Sequence, residues 1–281
     1  MTNYHCHSHY CDGTGEPESY IVAAIEKQMQ GIGFSSHSPV PFASSWNMPQ
    51  TRLAEYLAEI DRLKVKYAHR IQVFKSLEVD YVPGLVGPES AWVKQAELDY
   101  VIGSVHYTQP LPDGTWWSID DHLGAFLNGL KQVYDNDIQK AVRHYFALQR
   151  QMIQTECPHI IGHFDKIKMH NRLQPLFDET AEWYRTEVRH LLEVIAKSGC
   201  MVEINTKSFE GNGLLFPGVE HFDWLREMAI PLVINSDSHH PNHLTSGFQF
   251  VADHLLAHHI NEVQVFAPSG WQSMSIAEWI K

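Results

Sequence analysis

The sequence predicts a single α/β domain of the barrel type that spans residues 1–281. Short β-rich runs alternate with helical segments along the whole chain, no low-complexity linker or internal repeat divides it, and polar residues recur where the β-rich runs end. A chain of 281 residues with 44% hydrophobic content is long enough to bury one large core.

The strand prediction depends on runs that are apolar, rich in β-branched residues and short. These runs cover residues 3–6, 31–36, 71–79, 99–105, 159–162, 200–205, 231–236 and 262–266. Two segments between them, residues 41–50 and 106–121, are rich in Pro and Trp and too long for simple turns. We predict that these two segments are loops on the substrate side of the domain.

The clearest helix covers residues 51–70, because its apolar side chains recur at three- and four-residue steps. The apolar face consists of Leu53, Tyr56, Leu57, Ile60, Leu63 and Tyr67. Further helices are predicted over residues 18–30, 135–156 and 178–198. Asp178 is the predicted N-cap of the last of these helices.

Charge and cysteine content restrict the classes of partner and compartment. The chain has 33 acidic and 21 basic residues and a formal charge of −12, which argues against binding to nucleic acids or acidic membranes. Its four cysteines lack a C-x-x-C spacing, so we expect neither a disulfide framework nor a zinc ribbon. Without a signal peptide or an apolar run of about 18 residues, the sequence predicts a cytoplasmic protein.

Histidine is unusually frequent, with 19 residues. Six of them lie in charged, helical stretches and are interpreted as solvated or packed side chains: His69, His144, His190, His254, His258 and His259. The others include a set that stands, with carboxylates and an amide, at or just past the ends of successive strands: His5, His7, His37, Glu78, Asp80, His106, His163, Asn205, Asp237 and His239. Parallel barrels build their active sites at this rim.

The spacing of these residues indicates metal binding. In His5-x-His7 and Asp237-x-His239, a period of two puts both side chains on the same side of an extended segment. Either pair alone is weak evidence, but their combination with histidines after later strands and with Glu78 predicts a metal centre. The alternative, hydrogen-bonded core histidines, would have to apply at six strand ends at once.

The motifs HCHSHYCDG, GFSSHSPVPF, SLEVDY, IGSVHY, IGHFDKIK, VEINT and NSDSHH resemble those of the polymerase-and-histidinol-phosphatase (PHP) superfamily. Within it, they are most similar to the monofunctional histidinol-phosphate phosphatases. The resemblance spans about residues 3–240. It implies a distorted (β/α)7 TIM-like barrel with a metal site at the C-terminal strand ends, and it leaves the run 262–266 outside the repeat.

The resemblance also implies three divalent ions, whose histidine and carboxylate ligands suit zinc, manganese or iron. One ion would be held by His5, His7, Glu78 and Asp237. A second would be held by Glu78 as a bridge, His106 and His163. A third would be held by Asp12, His37 and His239. Asp12 departs from the histidine of many family members, and a capped turn in D-G-T-G is the alternative for it.

Catalytic roles are expected for Glu78, Asp237 and His239, and substrate contacts for Lys207 and Lys168. Each lysine can equally be a solvated surface residue. Glu210 stands near a position where related enzymes often carry a basic group. His9 has no assigned role, and Asp80 and Asn205 are expected either to orient ligands or to contact substrate.

The implied activity is hydrolysis of L-histidinol phosphate to L-histidinol and phosphate, in histidine biosynthesis, with a metal-bridging hydroxide as the nucleophile. The implied partner is a small phosphate ester, and the oligomeric state is not predicted. Three alternatives remain: a phosphoesterase for another small ester, a hydrolase of the amidohydrolase type, and a non-catalytic metal-binding domain.

Overall fold

The computed structural model of the protein describes residues 1–267 and 269–281. Its strands are β1 (Thr2–Asn3), β2 (Gly31–Phe34), β3 (Gln72–Asp80), β4 (Tyr100–Ser104), β5 (Tyr107–Pro110), β6 (Trp116–Ser118), β7 (Ile160–Ile161), β8 (Met201–Asn205), β9 (Leu232–Asn235), β10 (Glu262–Ala267) and β11 (Gly270–Ser275). Its α-helices are α1 (Pro17–Glu26), α2 (Leu53–Tyr67), α3 (Ala91–Gln95), α4 (Leu123–Tyr134), α5 (Ile138–Glu156), α6 (Glu182–Ser198), α7 (Phe209–Asn212), α8 (Phe222–Glu227), α9 (Phe248–Ala257) and α10 (Ile276–Trp279).

Seven strands form one parallel sheet in the order β1-β2-β3-β4-β7-β8-β9. The two outer strands approach each other just past their ends, where Cys6 and Ser238 form a parallel bridge. Here the amide of His7 donates to the carbonyl of Ser238 at 2.8 Å, and the amide of Ser238 donates to the carbonyl of His5 at 3.1 Å. The sheet is therefore a nearly closed seven-stranded barrel, as predicted.

Helix α2 shows how the predicted apolar face packs. Its buried residues are Leu53, Tyr56, Ile60, Leu63 and Tyr67. The hydroxyl of Tyr56 donates to the carbonyls of Phe34 at 2.9 Å and Ser76 at 2.8 Å, so the helix is fixed to both β2 and β3. The same sequence periodicity that predicts the helix thus also determines which side covers the sheet.

Strands β10 and β11 form an antiparallel pair outside the parallel sheet, as expected for residues 262–266. Phe266 and Trp271 of this pair pack on Tyr4, Phe74 and Tyr100, which stand early in their strands or next to β1. The amide of Phe266 also donates to the Tyr4 hydroxyl at 2.7 Å. The pair therefore covers the end of the barrel opposite the strand ends that carry the polar residues.

Several sequence predictions were wrong in detail. Asp178 does not cap α6: its carboxylate accepts from the amide and hydroxyl of Thr180, and the helix begins at Glu182 after Ala181. The helix predicted from residue 135 begins at Ile138, with Asp137 as its N-cap. At Asp178 a local Asp turn takes the place of a cap, whereas Asp135 and Asn136 have φ values of 55° and 64°, which exclude them from the helix.

The expectation of unpaired cysteines was also wrong for one pair. Cys157 and Cys200 form a disulfide across 43 residues of sequence, and Cys6 and Cys11 are free. The pairing brings the end of α5 to the start of β8, a proximity that no local spacing signals. This disulfide removes one argument for a cytoplasmic location. In the described part of the chain, no helix combines the length and apolarity needed to cross a membrane.

Candidate metal centre

The strand ends bring the predicted ligands together at one rim. His5, His106, His163 and Asp237 each lie two residues past the end of β1, β4, β7 and β9, respectively. Glu78 lies within β3, near its end, and its backbone forms a parallel bridge with His37. Equal offsets from neighbouring parallel strands place these side chains at one level, which is why residues distant in sequence meet.

One group contains His5, His7, Glu78 and Asp237. The Nε2 atom of His7 lies 3.0 Å from Oδ1 of Asp237 and 3.5 Å from Oε2 of Glu78. The Nε2 atom of His5 lies 3.2 Å from the same Glu78 oxygen and 3.6 Å from the same Asp237 oxygen. Four ligands at about 2.1 Å from a tetrahedral ion stand roughly 3.4 Å apart, so this spacing fits such an ion.

A second group forms on the other oxygen of Glu78. Its Oε1 atom lies 2.9 Å from Nε2 of His163 and 3.6 Å from Nε2 of His106. The two imidazole Nε2 atoms are 3.2 Å apart. The two oxygens of Glu78 therefore face two different histidine groups, which is the geometry of a carboxylate that bridges two ions.

The third group lies nearer to solvent. Oδ2 of Asp12 is 3.1 Å from Nε2 of His239, and Oδ1 of Asp12 is 3.7 Å from Nε2 of His37. The geometry adds His7, because ligand atoms of His7, Asp12, His37 and His239 all lie within 4.8 Å of one another. His37 also contacts Glu78, with its Nδ1 2.9 Å from Oε2, so this group adjoins the other two.

Asp12 reaches this group through a tight turn. A Cβ atom on Gly13 would lie 2.4 Å from the carbonyl carbon of His7, so only glycine allows the chain to fold back this closely. The side-chain hydrogen bond of Asp12 is with His239 rather than with the backbone of its own turn. This contact favours the ligand interpretation of Asp12 over the capped turn.

The side chains fit divalent cations because buried polar atoms in the groups lack hydrogen-bond partners. These atoms are Nε2 of His5, Nε2 of His7, Nδ1 of His37, Oε2 of Glu78 and Oδ1 of Asp237. Buried donors and acceptors without partners are costly, and a cation coordinated by them removes that cost. The donor set is imidazole nitrogen with carboxylate oxygen, which suits borderline divalent metals.

The pKa shifts describe the electrostatics of the groups. Burial alone would raise the pKa values of Glu78 and Asp237, but neighbouring His5 and, for Asp237, Lys207 hold both well below their ordinary range. Burial together with His239 and His37 lowers the pKa of His7. The pKa of His106 is raised to about 9, because Asp80, Asp120 and Glu78 outweigh its burial. A cation held by Nε2 of His106 would have to displace any proton on that nitrogen.

Other side chains orient the ligands. Asp80 Oδ1 accepts from Nδ1 of His106 at 2.8 Å, and the amide of Asn205 donates to Asp237 Oδ2 at 3.1 Å. Glu203, which the sequence interpretation did not assign, accepts from Nδ1 of His5 at 2.8 Å and from the backbone of His163 at 3.0 Å. Glu203 lies two residues before Asn205 in β8, so both side chains are on the same face of the strand, and this spacing could have identified Glu203 from the sequence.

The two predicted substrate lysines differ in position. Lys207 lies at the third group, with its ammonium 3.0 Å from Nε2 of His239 and 3.7 Å from Oδ1 of Asp237. Lys168 is only 3% exposed and forms ion pairs with Asp165 at 2.7 Å and Glu220 at 2.8 Å. Its recorded contacts include none of the nine predicted metal ligands, so its geometry does not support substrate binding.

His9 also lies apart from the ligand groups. Its Nδ1 atom is 3.4 Å from a carboxylate oxygen of Glu16 and 3.3 Å from the carbonyl of Gly15. These contacts agree with leaving His9 outside the predicted ligand sets.

Aromatic side chains from the two predicted substrate-side loops border the centre. The Trp46 ring stands edge-on to His37 at 4.4 Å and to His106 at 5.0 Å between centroids, and it stacks on Tyr107 at 5.2 Å. Phe42 stacks on Trp116 at 4.9 Å. The rim beside the ligands is therefore an aromatic wall, which we define as Phe42, Trp46, Tyr107 and Trp116.

Comparisons with known proteins show which proteins this chain resembles. A probable histidinol-phosphatase of Deinococcus radiodurans is 29% identical over 254 residues, which are 89% of this chain and 90% of that protein. A Listeria monocytogenes crystal structure superposes with a TM-score of 0.78 at 21% identity, over 89% of this chain and 99% of that one. A Lactococcus lactis histidinol phosphate phosphatase, solved with zinc, L-histidinol and phosphate, has a TM-score of 0.74 at 19% identity, over 96% and 98% of the two chains.

The family assignment follows from a direct match over most of the chain. The PHP domain model matches residues 3–207, which include seven of the nine predicted metal ligands. The remaining two, Asp237 and His239, join the same groups through closure of the barrel. The chain belongs to the PHP domain family.

Proposed function

We propose that this protein is a metal-dependent histidinol-phosphatase, which hydrolyses L-histidinol phosphate to L-histidinol and phosphate. The observation that carries the proposal is Glu78, whose two oxygens face two separate histidine groups at 2.9 Å and 3.2 Å. Paired ions across a carboxylate are a recurrent arrangement for phosphate ester hydrolysis. The named activity of the Deinococcus radiodurans relative supports the same substrate.

We assign three divalent ions to the three ligand groups, with zinc, manganese and iron as the candidates. Bound ions of this kind activate water for attack and neutralise the charge of a phosphate group. Glu78 holds the first two groups together, and Asp237 joins the first group to the third, since its Oδ1 atom also lies 3.5 Å from Nδ1 of His239. The backbone of Asp237 has a φ of 48°, an uncommon conformation for a residue with a side chain, and it aims the carboxylate inward.

Lys207 and His239 are proposed to act on the solvent side of the centre. The Lys207 ammonium is 34% exposed and lies beside His239, where it can donate to an incoming phosphate oxygen. His239 is proposed to hold its ion through Nε2, since its Nδ1 donates to the carbonyl of Asp237 at 2.9 Å. This hydrogen bond sets the orientation of the ring.

The aromatic wall supports a substrate that carries a ring. Histidinol phosphate combines a phosphate group with an imidazole, and Trp46 lies directly beside two ligand histidines. Aromatic rings recognise another planar ring by offset stacking or edge contacts, worth about 0.5–1.5 kcal/mol each. An ester bound by its phosphate at the ions would thus place its side chain against this wall. The formal charge of −12 disfavours nucleic acid as a partner, and a cytoplasmic location stays a prediction.

The test is phosphate release by purified protein of measured metal content. The catalytic efficiency kcat/KM for L-histidinol phosphate should exceed that for p-nitrophenyl phosphate and for nucleotides by at least about tenfold, because contacts to the ring and amine persist in the transition state. If kcat/KM for L-histidinol phosphate were equal to or lower than that for the other esters, the protein would instead be a phosphoesterase for another small ester. Absence of turnover with any ester, at full metal content, would favour the non-catalytic alternative.

A further inference from the structure

A lysine that the sequence interpretation did not use lies beside the metal centre. Lys166 is only 5% exposed and begins the 3₁₀ helix Lys166–Arg172, three residues after the predicted ligand His163. Its amide donates to the carbonyl of His163 at 2.9 Å, which ties its backbone to that ligand. Its ammonium lies 2.9 Å from Oδ2 of Asp120.

Asp120 connects this ammonium to the second ligand group. The same Oδ2 atom lies 4.0 Å from Nε2 of His106, so Lys166 Nζ is at most about 7 Å from that ligand atom. Burial by itself lowers the pKa of Lys166, but the charges of Asp120, Asp237 and Glu78 outweigh it and raise the pKa above its ordinary value. Lys166 is therefore positively charged, and its charge is stabilised by the carboxylates of Asp120, Asp237 and Glu78.

The ammonium has donors to spare. A lysine carries three N–H donors, and within residues 1–267 and 269–281 Asp120 is the one carboxylate within ion-pair distance of it. Lys168, two residues later, is satisfied by Asp165 and Glu220 together. Of the two lysines in this helix, Lys166 thus has a single carboxylate partner, which itself approaches His106, whereas Lys168 has two partners away from the predicted ligands.

We infer that Lys166, positioned by Asp120, anchors the phosphate group of the substrate on the His106 side of the metal centre. This inference rests on the proposed function only in requiring that the substrate is a phosphate ester. Lys168 then has a different task, which is to neutralise two carboxylates that hold the loop after His163.

The distances suit one phosphate group between the lysine and the second ligand group. A metal–nitrogen bond is about 2.1 Å, a metal–oxygen bond is about 2.1 Å, and a charge-assisted hydrogen bond is about 2.8 Å. A phosphate oxygen that bridges an ion at His106 and Lys166 would allow about 7 Å between the two nitrogens, which is the upper limit that the Asp120 contacts set. A side chain that is already buried and ion-paired loses little conformational freedom when it binds.

The experiment compares Lys166→Met, Lys166→Gln and Lys166→Arg with the wild-type holoenzyme. The probe is inorganic phosphate, measured by direct titration and as a competitive inhibitor, and kcat/KM is measured for p-nitrophenyl phosphate and L-histidinol phosphate. Loss of one charge-assisted contact should weaken phosphate binding by about 10- to 100-fold in the Met and Gln variants. Both esters should lose kcat/KM by similar factors, because the phosphate is the part they share.

Matched variants separate anchoring from structural pairing. Lys166→Gln keeps a donor for Asp120 and decides the test if Lys166→Met does not fold, while Lys166→Arg keeps the charge and should retain more phosphate affinity than either. Lys94→Met removes an exposed lysine charge paired with Glu89 and should leave phosphate binding unchanged. Metal content and Tm are measured for every variant.

Two outcomes overturn the inference. One is phosphate affinity that is unchanged in Lys166→Gln at full metal content, and the other is a loss confined to L-histidinol phosphate, which would make Lys166 a side-chain contact. Failure of the proposed function is distinct, because it is judged on wild-type protein: no turnover of any phosphate ester rejects phosphatase activity, and a preference for another ester rejects only the substrate.

Discussion

The carboxylate of Glu203 accepts a hydrogen bond from Nδ1 of His5 at 2.8 Å, and this contact turns Nε2 of His5 toward Glu78 and Asp237. A carboxylate only accepts, so the ring nitrogen must donate, and in the neutral imidazole this leaves the lone pair of Nε2 available to a cation. A residue with no direct place among the ligands thereby determines which atom of His5 faces the centre.

Replacement of Glu203 should therefore weaken metal binding without removing a ligand. We expect Glu203→Gln to lower affinity for the first ion by about 10- to 100-fold, because the charge that orients His5 is lost while side-chain size is kept. Competition with a chelator measures this affinity. The control is Glu193→Gln, on the exposed surface of α6. Unchanged affinity in Glu203→Gln would show that Glu203 serves core packing alone.

Glu78→Gln tests the bridge between the first two groups. The amide keeps the shape and can still accept from the Ser104 hydroxyl, which lies 2.6 Å from Oε1. It lacks the negative charge that holds two cations together, so we expect kcat to fall by several orders of magnitude, roughly 10³-fold or more. Circular dichroism should remain that of the wild type. Near-normal turnover would exclude Glu78 as a bridge.

Asp12 and His37 should act as a unit. Each single alanine variant is expected to lower metal content from about three to about two equivalents, because both residues belong to the group nearest to solvent. The double variant should be strongly non-additive in kcat/KM, since little remains to be lost once the ion is gone. Elemental analysis and kinetics measure both effects. If Asp12→Ala kept three ions while His37→Ala did not, Asp12 would be a turn residue.

Acid should destabilise the protein through His221. Burial and the nearby Lys168 lower the pKa of His221 to about 4, below its ordinary value of 6.5. The folded state then binds this proton less tightly than the unfolded chain does. Its contribution to stability is fully present above about pH 6.5 and is lost as the pH falls toward about 4.

The check is the drop in Tm between about pH 7 and about pH 4.5, the window in which this linkage acts. The drop should be smaller in His221→Gln than in the wild type, because glutamine does not titrate. His190→Gln, which alters an exposed histidine of α6, should keep the wild-type drop. If Tm fell equally in His221→Gln and in the wild type, His221 would not contribute to the loss of stability in acid.

The sequence predicted which polar residues lie together at the strand ends, because that information is local. A polar residue at a fixed number of positions after an apolar strand lies at a known height along a parallel barrel. In H-x-H and D-x-H, the two-residue spacing puts both side chains on the same side of the strand. The seven barrel strands and the apolar face of α2 followed from the same periodicities. The structure confirms the strands and this helix face, and it places four of the predicted ligands two residues past the ends of their strands.

Other features depended on contacts that no local pattern encodes. Glu203 contacts His5 across 198 residues of sequence, and Lys166 contacts Asp120, which lies in the segment after β6. Lys168 and Lys166 differ by two positions in one motif, yet the side chain of Lys168 pairs with Asp165 and Glu220 and that of Lys166 pairs with Asp120. The pairing of Cys157 with Cys200 is likewise a matter of spatial proximity.

By itself, then, the sequence determined the α/β barrel, the strand ends that carry the predicted ligands and the residue types that suit a divalent metal. Only the tertiary structure decided which oxygen of Glu78 faces which histidines, which carboxylates accept hydrogen bonds from them and which carboxylates pair with each lysine. The physical reason is range. Strand and helix periodicity depends on residues that are close in sequence. A hydrogen bond or ion pair instead requires two side chains to lie within about 3 Å of each other. For residues far apart in sequence, closure of the barrel sets that distance.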